Sequence, residues 1–345
     1  ISKSMLQIYQ KKDIFLWLAS SSLLLILLIW VGGLTRLTGS GLSITEWEVF
    51  SGILPPLNES KWIEYFELYK KIPEYQQINY GMNLNEFKFI FWWEYVHRVL
   101  ARFLVLIYII PLIYFLIKKK ISKTQTYYFF LIFLLFLLQG FMGWYMVQSG
   151  LVSDTDVSHY RLAAHLSLAI LIYSLIFWAL LNYKNKFKLN FKISTFLILF
   201  LILLILTQIM WGAFTSGLNA GLLYQTWPLM NDQFIADDIA IKQVLSSESL
   251  NNPSYVQLLH RLLAYFIIFY LIIIYYFYFR KIRNTKPFKL IFFAIFLQVV
   301  LGIFTLISGL NIYLASFHQI GSIFLISTTI YALFCINKQE NLIDS

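Results

Sequence analysis

The chain contains a single cysteine, Cys335, among 345 residues. An intramolecular disulfide, a thiolate zinc site and an iron–sulfur cluster of the chain's own are therefore excluded. Charge is also scarce. Asp, Glu, Lys and Arg together make up 13% of the residues, against about 25% in a soluble domain. That is too little to solvate an ordinary globular surface, and the composition equally excludes disorder, collagen and coiled coil. Acids are the scarcer sign, 17 against 27 Lys and Arg, leaving a net charge of +10. In a soluble protein this excess would suggest nucleic acid. Here 59% of the residues are hydrophobic and mean hydropathy is +0.69. The basic excess is thus read as a sign of sidedness in a polytopic membrane protein, with no nucleic-acid partner.

Eight apolar runs approach the length of about 20 residues that a helix needs to cross a bilayer. They cover 14–34, from near His97 to 117, 127–147, 160–181, 193–215, from near Leu258 to 279, 290–308, and from about 312 to 336. Pro111, inside the second, is expected to kink it. Barrel strands would run about 10 residues with alternating polarity, so the fold class is all-α. The first run is too long for a signal-peptide core and no small-residue cleavage site follows it. The chain begins on Ile1 rather than Met, so a few residues are expected upstream.

The connections alternate in charge. The start of the chain, the end, and the loops after spans two, four and six hold 17 of the 27 basic residues but only three acids, Asp13, Glu340 and Asp344. By the positive-inside rule these segments and both termini are cytoplasmic. The remaining segments, with 10 basic and 14 acidic residues, face the outer side.

The chain also repeats itself. A shift of 180 aligns Gly32, Thr35, Gly41, Leu42 and Trp47 with Gly212, Thr215, Gly221, Leu222 and Trp227. A shift of 163 aligns His97-Arg98 with His260-Arg261, and one of 159 aligns Gln139, Gly143 and Ser149-Gly150-Leu151 with Gln298, Gly302 and Ser308-Gly309-Leu310. Four spans is an even number, so the halves share one orientation, related by an axis along the membrane normal. The expected architecture is two parallel-repeat four-helix bundles, residues 1–185 and 186–345. The first outer loop is 17 residues longer than its counterpart, and the polar, aromatic segment 58–88 is expected to form a short helix or cap there.

Four of the five histidines fall near the outer ends of even-numbered spans: His97, His165, His260 and His318. A lone histidine there is commonly an interfacial residue bonded to a carbonyl. Four at one depth, two per half, point to a functional site, because polar groups in a bilayer are costly. Imidazole is an axial ligand of haem iron, and helices about 10 Å apart admit a flat macrocycle. The pattern therefore suggests two bis-histidine haem sites. Zinc fits less well, since a closed site needs four ligands converging on one point. His159 rivals His165 but lies in the loop with Asp154 and Asp156. Arg98 and Arg261 each follow the first histidine of a half and could pair with haem propionates or snorkel to lipid headgroups. Arg36 is a weaker candidate for the same role.

The halves differ at one place. Three residues before His97 stands Glu94, and three before His260 stands Gln257. If the helix reaches that far, i and i+3 share a face, and the carboxylate can act as acid, base or cation stabiliser where the amide cannot. The first half thus reads as a reaction site and the second as a fixed cofactor site. The plainer reading is that Glu94 pairs with a nearby arginine. The glycines 32, 33, 140, 143, 212 and 302 read as helix-packing residues.

The runs GGLTRLTGSGLSITEW (32–47), WEYVHR (93–98), QGFMGWYMVQSGL (139–151), RLAAHLSLA (161–169) and LLHRLLA (258–264) resemble haem A synthases over almost the whole chain. The resemblance is to the alphaproteobacterial and mitochondrial branch, without the outer-loop cysteine pair of some bacterial members. It implies oxidation of the C8 methyl of haem O to a formyl group, giving haem A for cytochrome c oxidase, through two hydroxylations and loss of water from a gem-diol. It also implies a substrate site with Glu94, His97 and His165, and a resident haem b held by His260 and His318. Further implications are a bacterial inner-membrane location, an outer-side haem site, haem O delivered by haem O synthase, an electron acceptor of unknown identity and a possible homo-oligomer. A di-haem electron-transfer cytochrome is the alternative, and a transporter built from parallel repeats a more distant one.

Overall fold

The computed structural model describes residues 3–47, 51–152, 154–184, 189–239, 247–280 and 285–343. Lys186, Lys188, Lys281, Arg283 and Asp344, used above for sidedness, lie outside them. The described chain is helical: α1 (Lys3–Leu37), α2 (Glu59–Tyr69), α3 (Pro73–Gln77), α4 (Leu84–Ile117), α5 (Lys123–Gly150), α6 (His159–Leu181), α7 (Ile193–Gly217), α8 (Pro253–Ile274), α9 (Lys286–Ile307) and α10 (Ile312–Ile343). Among the described residues, eight of these helices are long and apolar enough to cross a membrane: α1, α4 to α7, α8 with its continuation to Phe279, α9 and α10. Spanning segments satisfy their backbone polar groups internally, which is why such apolar runs fold as uninterrupted helices.

Two boundaries differ from the hydropathy reading. The second span starts at Leu84, thirteen residues before His97. Asn83 caps it, its side chain accepting from Asn85 and Glu86 N–H while Glu86 reaches back to the Asn83 N–H. This capping box starts the helix in polar sequence that hydropathy alone passes over. The sixth span likewise begins at Pro253 behind an Asn252 cap rather than near Leu258. Glu94 and Gln257 therefore both lie inside helices. α4 runs through Pro111 as one helix.

Contacts group the chain into two compact units, Ser20–Ala169 and a second formed by Ile170–Ser345 with Ile1–Ala19. In the first, α2 packs on α4, and α4 on α5. The expected cap is present as α2 and α3. Trp62, Phe66, Tyr69 and Ile72 bury against Phe87, Ile90 and Phe91 of α4, with Leu42, Ile44, Val147 and Val157. In the second unit, α7 packs on α8 and on α10, and α9 on α10.

The cap encloses one acid. Glu74 is buried and accepts a hydrogen bond from the Tyr69 hydroxyl at 3.1 Å, while Asn79 donates to that hydroxyl oxygen at 2.7 Å. Burial, helped by the charges of Asp156 and Glu94, raises the Glu74 carboxyl from 4.5 to about 7, against the opposing effects of the Tyr69 bond and Arg36. Burial and the neighbouring Glu74 likewise raise the Tyr69 phenol. The folded chain then holds the Glu74 proton over a range where the unfolded chain has lost it. Stability contributed at this site is full below pH 4.5, falls as pH rises towards 7, and levels off above. Glu74→Gln is expected to flatten that dependence and to stabilise the cap above pH 7. Proteolysis of the outer loop followed against pH checks this, and an unchanged profile would contradict it.

Candidate functional site

Each of the four histidines faces a glycine on the preceding spanning helix. A Cβ added to Gly32 of α1 would stand 2.8 Å from His97 Cε1, and one on Gly302 of α9 would stand 2.9 Å from His318 Cε1. At Gly143 of α5 and Gly212 of α7 the distances to His165 and His260 Cε1 are both 3.3 Å. The imidazoles thus lie directly on neighbouring backbone, with no room for a Cβ at Gly32 and Gly302 unless the ring shifts, and little at Gly143 and Gly212. These glycines are packing residues, as their positions suggested, and what they pack is the histidine ring. Gly140 is different: a Cβ there would meet nothing within 4 Å.

Three of the rings are held by glutamines. Gln139 Nε2 donates to the His165 carbonyl at 3.1 Å and lies 3.2 Å from both ring nitrogens. Gln208 Nε2 donates to the His260 carbonyl at 2.9 Å and lies 3.2 Å from Nδ1. Gln298 Nε2 donates to the His318 carbonyl at 2.9 Å, and the Gln298 backbone carbonyl lies 3.1 Å from His318 Nδ1. Each glutamine stands four residues before its glycine, one helical turn away, so both sit on the face that meets the histidine.

The histidines come together as pairs. The His260 and His318 rings lie 6.5 Å apart between centroids and cross at 81°. His97 and His165 are close enough for the charge of one to act on the other. Imidazole–metal bonds are about 2 Å long. Two in line through a haem iron, with the rings' own half-widths, place the centroids roughly 6 Å apart. The His260–His318 separation matches this. Among the described residues no group of three or more His, Cys, Asp or Glu could hold a metal ion. A donor set that stops at two imidazoles suits an iron whose other four ligands come from a macrocycle better than tetrahedral zinc. His159, the first residue of α6, instead packs on Tyr160 with ring centroids 4.1 Å apart.

Glu94 is buried, and its carboxylate is enclosed by donors. Ser43 Oγ and the Ile44 N–H donate to Oε2 at 2.7 and 2.8 Å. Arg98 donates to Oε1 through Nε at 3.0 Å and through its second terminal nitrogen. Arg98 also donates to the Ile44 carbonyl at 2.8 Å and the Glu46 carbonyl at 3.1 Å, and stacks over Trp47. The arginine that sequence offered as a propionate partner fastens the loop after α1 to α4, and the anticipated Glu94–arginine pair forms. In the second unit Arg261 donates to the Tyr224 and Leu229 carbonyls, both at 3.1 Å. Gln257 donates to that same Tyr224 carbonyl at 2.9 Å. Arg36 pairs with Asp156 at 2.9 Å.

The family model described as "Cytochrome oxidase assembly protein", COX15-CtaA, matches residues 15–330. The chain belongs to the COX15-CtaA family. It is 50% identical over 325 residues to a protein named heme A synthase from Pelagibacter ubique (strain HTCC1062), with 94% of this chain and 96% of that one covered. A heme A synthase from Rickettsia felis is 42% identical over 335 residues, covering 95% and 99%. Another, from Wolbachia pipientis wMel, is 39% identical over 335 residues, covering 96% and 94%.

For this COX15-CtaA member, reasoning from sequence found the histidines and Glu94 but missed the groups that hold them. Ser43, the Ile44 N–H and the three glutamines had no assigned role. The available signal was Gln-x-x-x-Gly, which occurs at 139–143, 208–212 and 298–302. Gly302→Ala is expected to lower stability by about 1–3 kcal/mol through overpacking, although alanine is the better helix former by about 1 kcal/mol. Gly140→Ala should be neutral or mildly stabilising. Thermal unfolding of the two variants in detergent compares them directly, and equal damage would show that the glycine–imidazole contact is not the constraint.

Proposed function

We propose that this chain converts haem O to haem A, oxidising the ring C8 methyl to a formyl group for cytochrome c oxidase. The observation that carries the reading is the pair of bis-histidine sites, with an enclosed carboxylate, Glu94, one turn before a histidine in only one of them. The near-full-length likeness to heme A synthases supports the same conclusion. In this reading haem O is substrate, bound between His97 and His165, and haem b is resident between His260 and His318. The chain is a multi-pass protein of the bacterial inner membrane with cytoplasmic termini and its haem sites towards the outer side. The matching contacts of Arg98 with Ile44 and of Arg261 with Tyr224, residues related by the shifts of 163 and 180, support two parallel-repeat halves. Delivery of substrate by haem O synthase, and assembly of several copies, fit this reading without adding to it.

The residues divide the work. His97 and His165 orient the substrate ring so that one edge meets a fixed carboxylate. Ser43, the Ile44 N–H and Arg98 hold Glu94 in place, so little reorganisation is needed as charge develops. Glu94 then stabilises positive charge on the oxidising methyl carbon or accepts the proton it loses. Gln257 at the corresponding place donates to a backbone carbonyl and offers no such group. Haem b, when bound, supplies one-electron redox chemistry. The cap of α2 and α3 shields the outer end of this unit from water.

Glu94→Gln is expected to retain haem b while lowering conversion of haem O by roughly 100-fold or more; full activity would exclude a catalytic role. His260→Ala should deplete haem b, and unchanged b content would overturn that assignment. Extraction and chromatography of the bound haems test the whole reading. Haem O or A beside haem b supports it, haem b alone favours an electron-transfer cytochrome, and no haem sinks both.

A further inference from the structure

The four histidines are alike in sitting on a glycine, but they are not held alike. Gln139, Gln208 and Gln298 each stand four residues before the glycine that faces His165, His260 and His318. Four residues before Gly32, which faces His97, stands Leu28. The shift of 180 that aligns Gly32 with Gly212 aligns Leu28 with Gln208, so the same place on the helix carries a donor in one half and an alkyl chain in the other. At His97 the neighbouring polar group on α1 is the Leu28 backbone. That backbone is bonded to the His97 ring as the Gln298 carbonyl is to the His318 ring, but no side-chain amide stands beside it.

A ligating imidazole is oriented, and its basicity set, by what holds its other nitrogen and its backbone. Three of the four histidines have a glutamine fastening their own carbonyl to the facing helix. His97 has none. It also belongs to the pair that has Glu94 nearby. The C-terminal pair is clamped on both sides, and the N-terminal pair on one side only.

We propose that His97 is the dissociable axial ligand of the N-terminal site, and that Leu28 is the residue that leaves it so. Gln139, Gln208 and Gln298 are positioning residues that keep the other three histidines in place. This rests on the reading of the histidine pairs as haem sites. Release of His97 would open one axial position on the substrate haem, on the α1 and α4 side, while His165 retains it. The C-terminal haem would stay six-coordinate throughout.

The test uses full-length protein purified in detergent with its haems bound, reduced and exposed to carbon monoxide, which binds ferrous haem only where an axial position opens. The wild type is expected to show a carbon monoxide adduct on haem O or A and none on haem b. Leu28→Gln should reduce the reactive fraction by about fivefold, the weight of one hydrogen bond, with haem content unchanged and conversion falling in parallel. Leu28→Met, equal in length but without the amide, should behave as wild type. Gln208→Leu should make the haem b site reactive, and it keeps the proposal open to refutation if Leu28→Gln fails to fold. Bound haems with an unchanged reactive fraction in Leu28→Gln, or a haem b site still inert in Gln208→Leu, would overturn this proposal alone. Purified protein without haem would overturn the reading of the sites and this proposal with it.

Discussion

An imidazole lying on the backbone of a facing helix is the contact on which the rest depends. It requires glycine at one fixed place on each odd-numbered span, since a Cβ would come within 2.8 to 3.3 Å of the ring. It draws the helices of each hairpin together at the depth of the histidines. It also fixes which face of the odd helix points inward, so the residue one turn earlier must meet the same histidine. In a bilayer, where helices gain nothing from hiding apolar surface from one another, close approach at small residues and a few polar bonds decide the packing. Here the close approach occurs at four places, and a glutamine bond accompanies it at three of them.

The spans were legible because a bilayer imposes length and hydropathy together. The histidines stood out because such groups are costly there. What hydropathy could not locate was the true start of α4. Residues 84–96 are mixed in polarity, and it is the Asn83–Glu86 capping box that begins the helix among them. That earlier start is what places Glu94 on a helical turn below His97. The loop contacts of the arginines were not legible for a related reason. A cation at a membrane interface has several possible partners, and sequence does not say that the loop carbonyls at 44, 46, 224 and 229 fold back to within reach. The glutamines were visible as a pattern, yet a pattern of amides has no evident chemistry until the ring beside each one is known.

The asymmetry between the halves is finer than one acid for one amide. Glu94 and Gln257 occupy matching positions and each secures the loop after the preceding span, but through opposite polarity. The carboxylate accepts from Ser43, Ile44 and Arg98, whereas the amide donates to Tyr224. The aromatic cap over the first unit and the lone alkyl chain at Leu28 differ in the same direction. One half carries a buried ion pair and a helical cap, and the other carries a glutamine at both of its histidines. Divergence of this kind is expected when one copy of a repeat only has to hold its ligand and the other has to act on it.

The enclosure of Glu94 has a consequence for how such a protein can change. The buried Glu94 carboxylate, with Arg98, is the anchor for residues 43–47, so its position and the closure of that loop form a single mechanical trait. A substitution that loosens the loop moves the acid, and one that retunes the acid frees the loop. Substitutions at Ser43, Glu94 or Arg98 are therefore expected to disturb both together, whereas the aromatic contacts of the cap, shared among many residues, tolerate replacement one at a time.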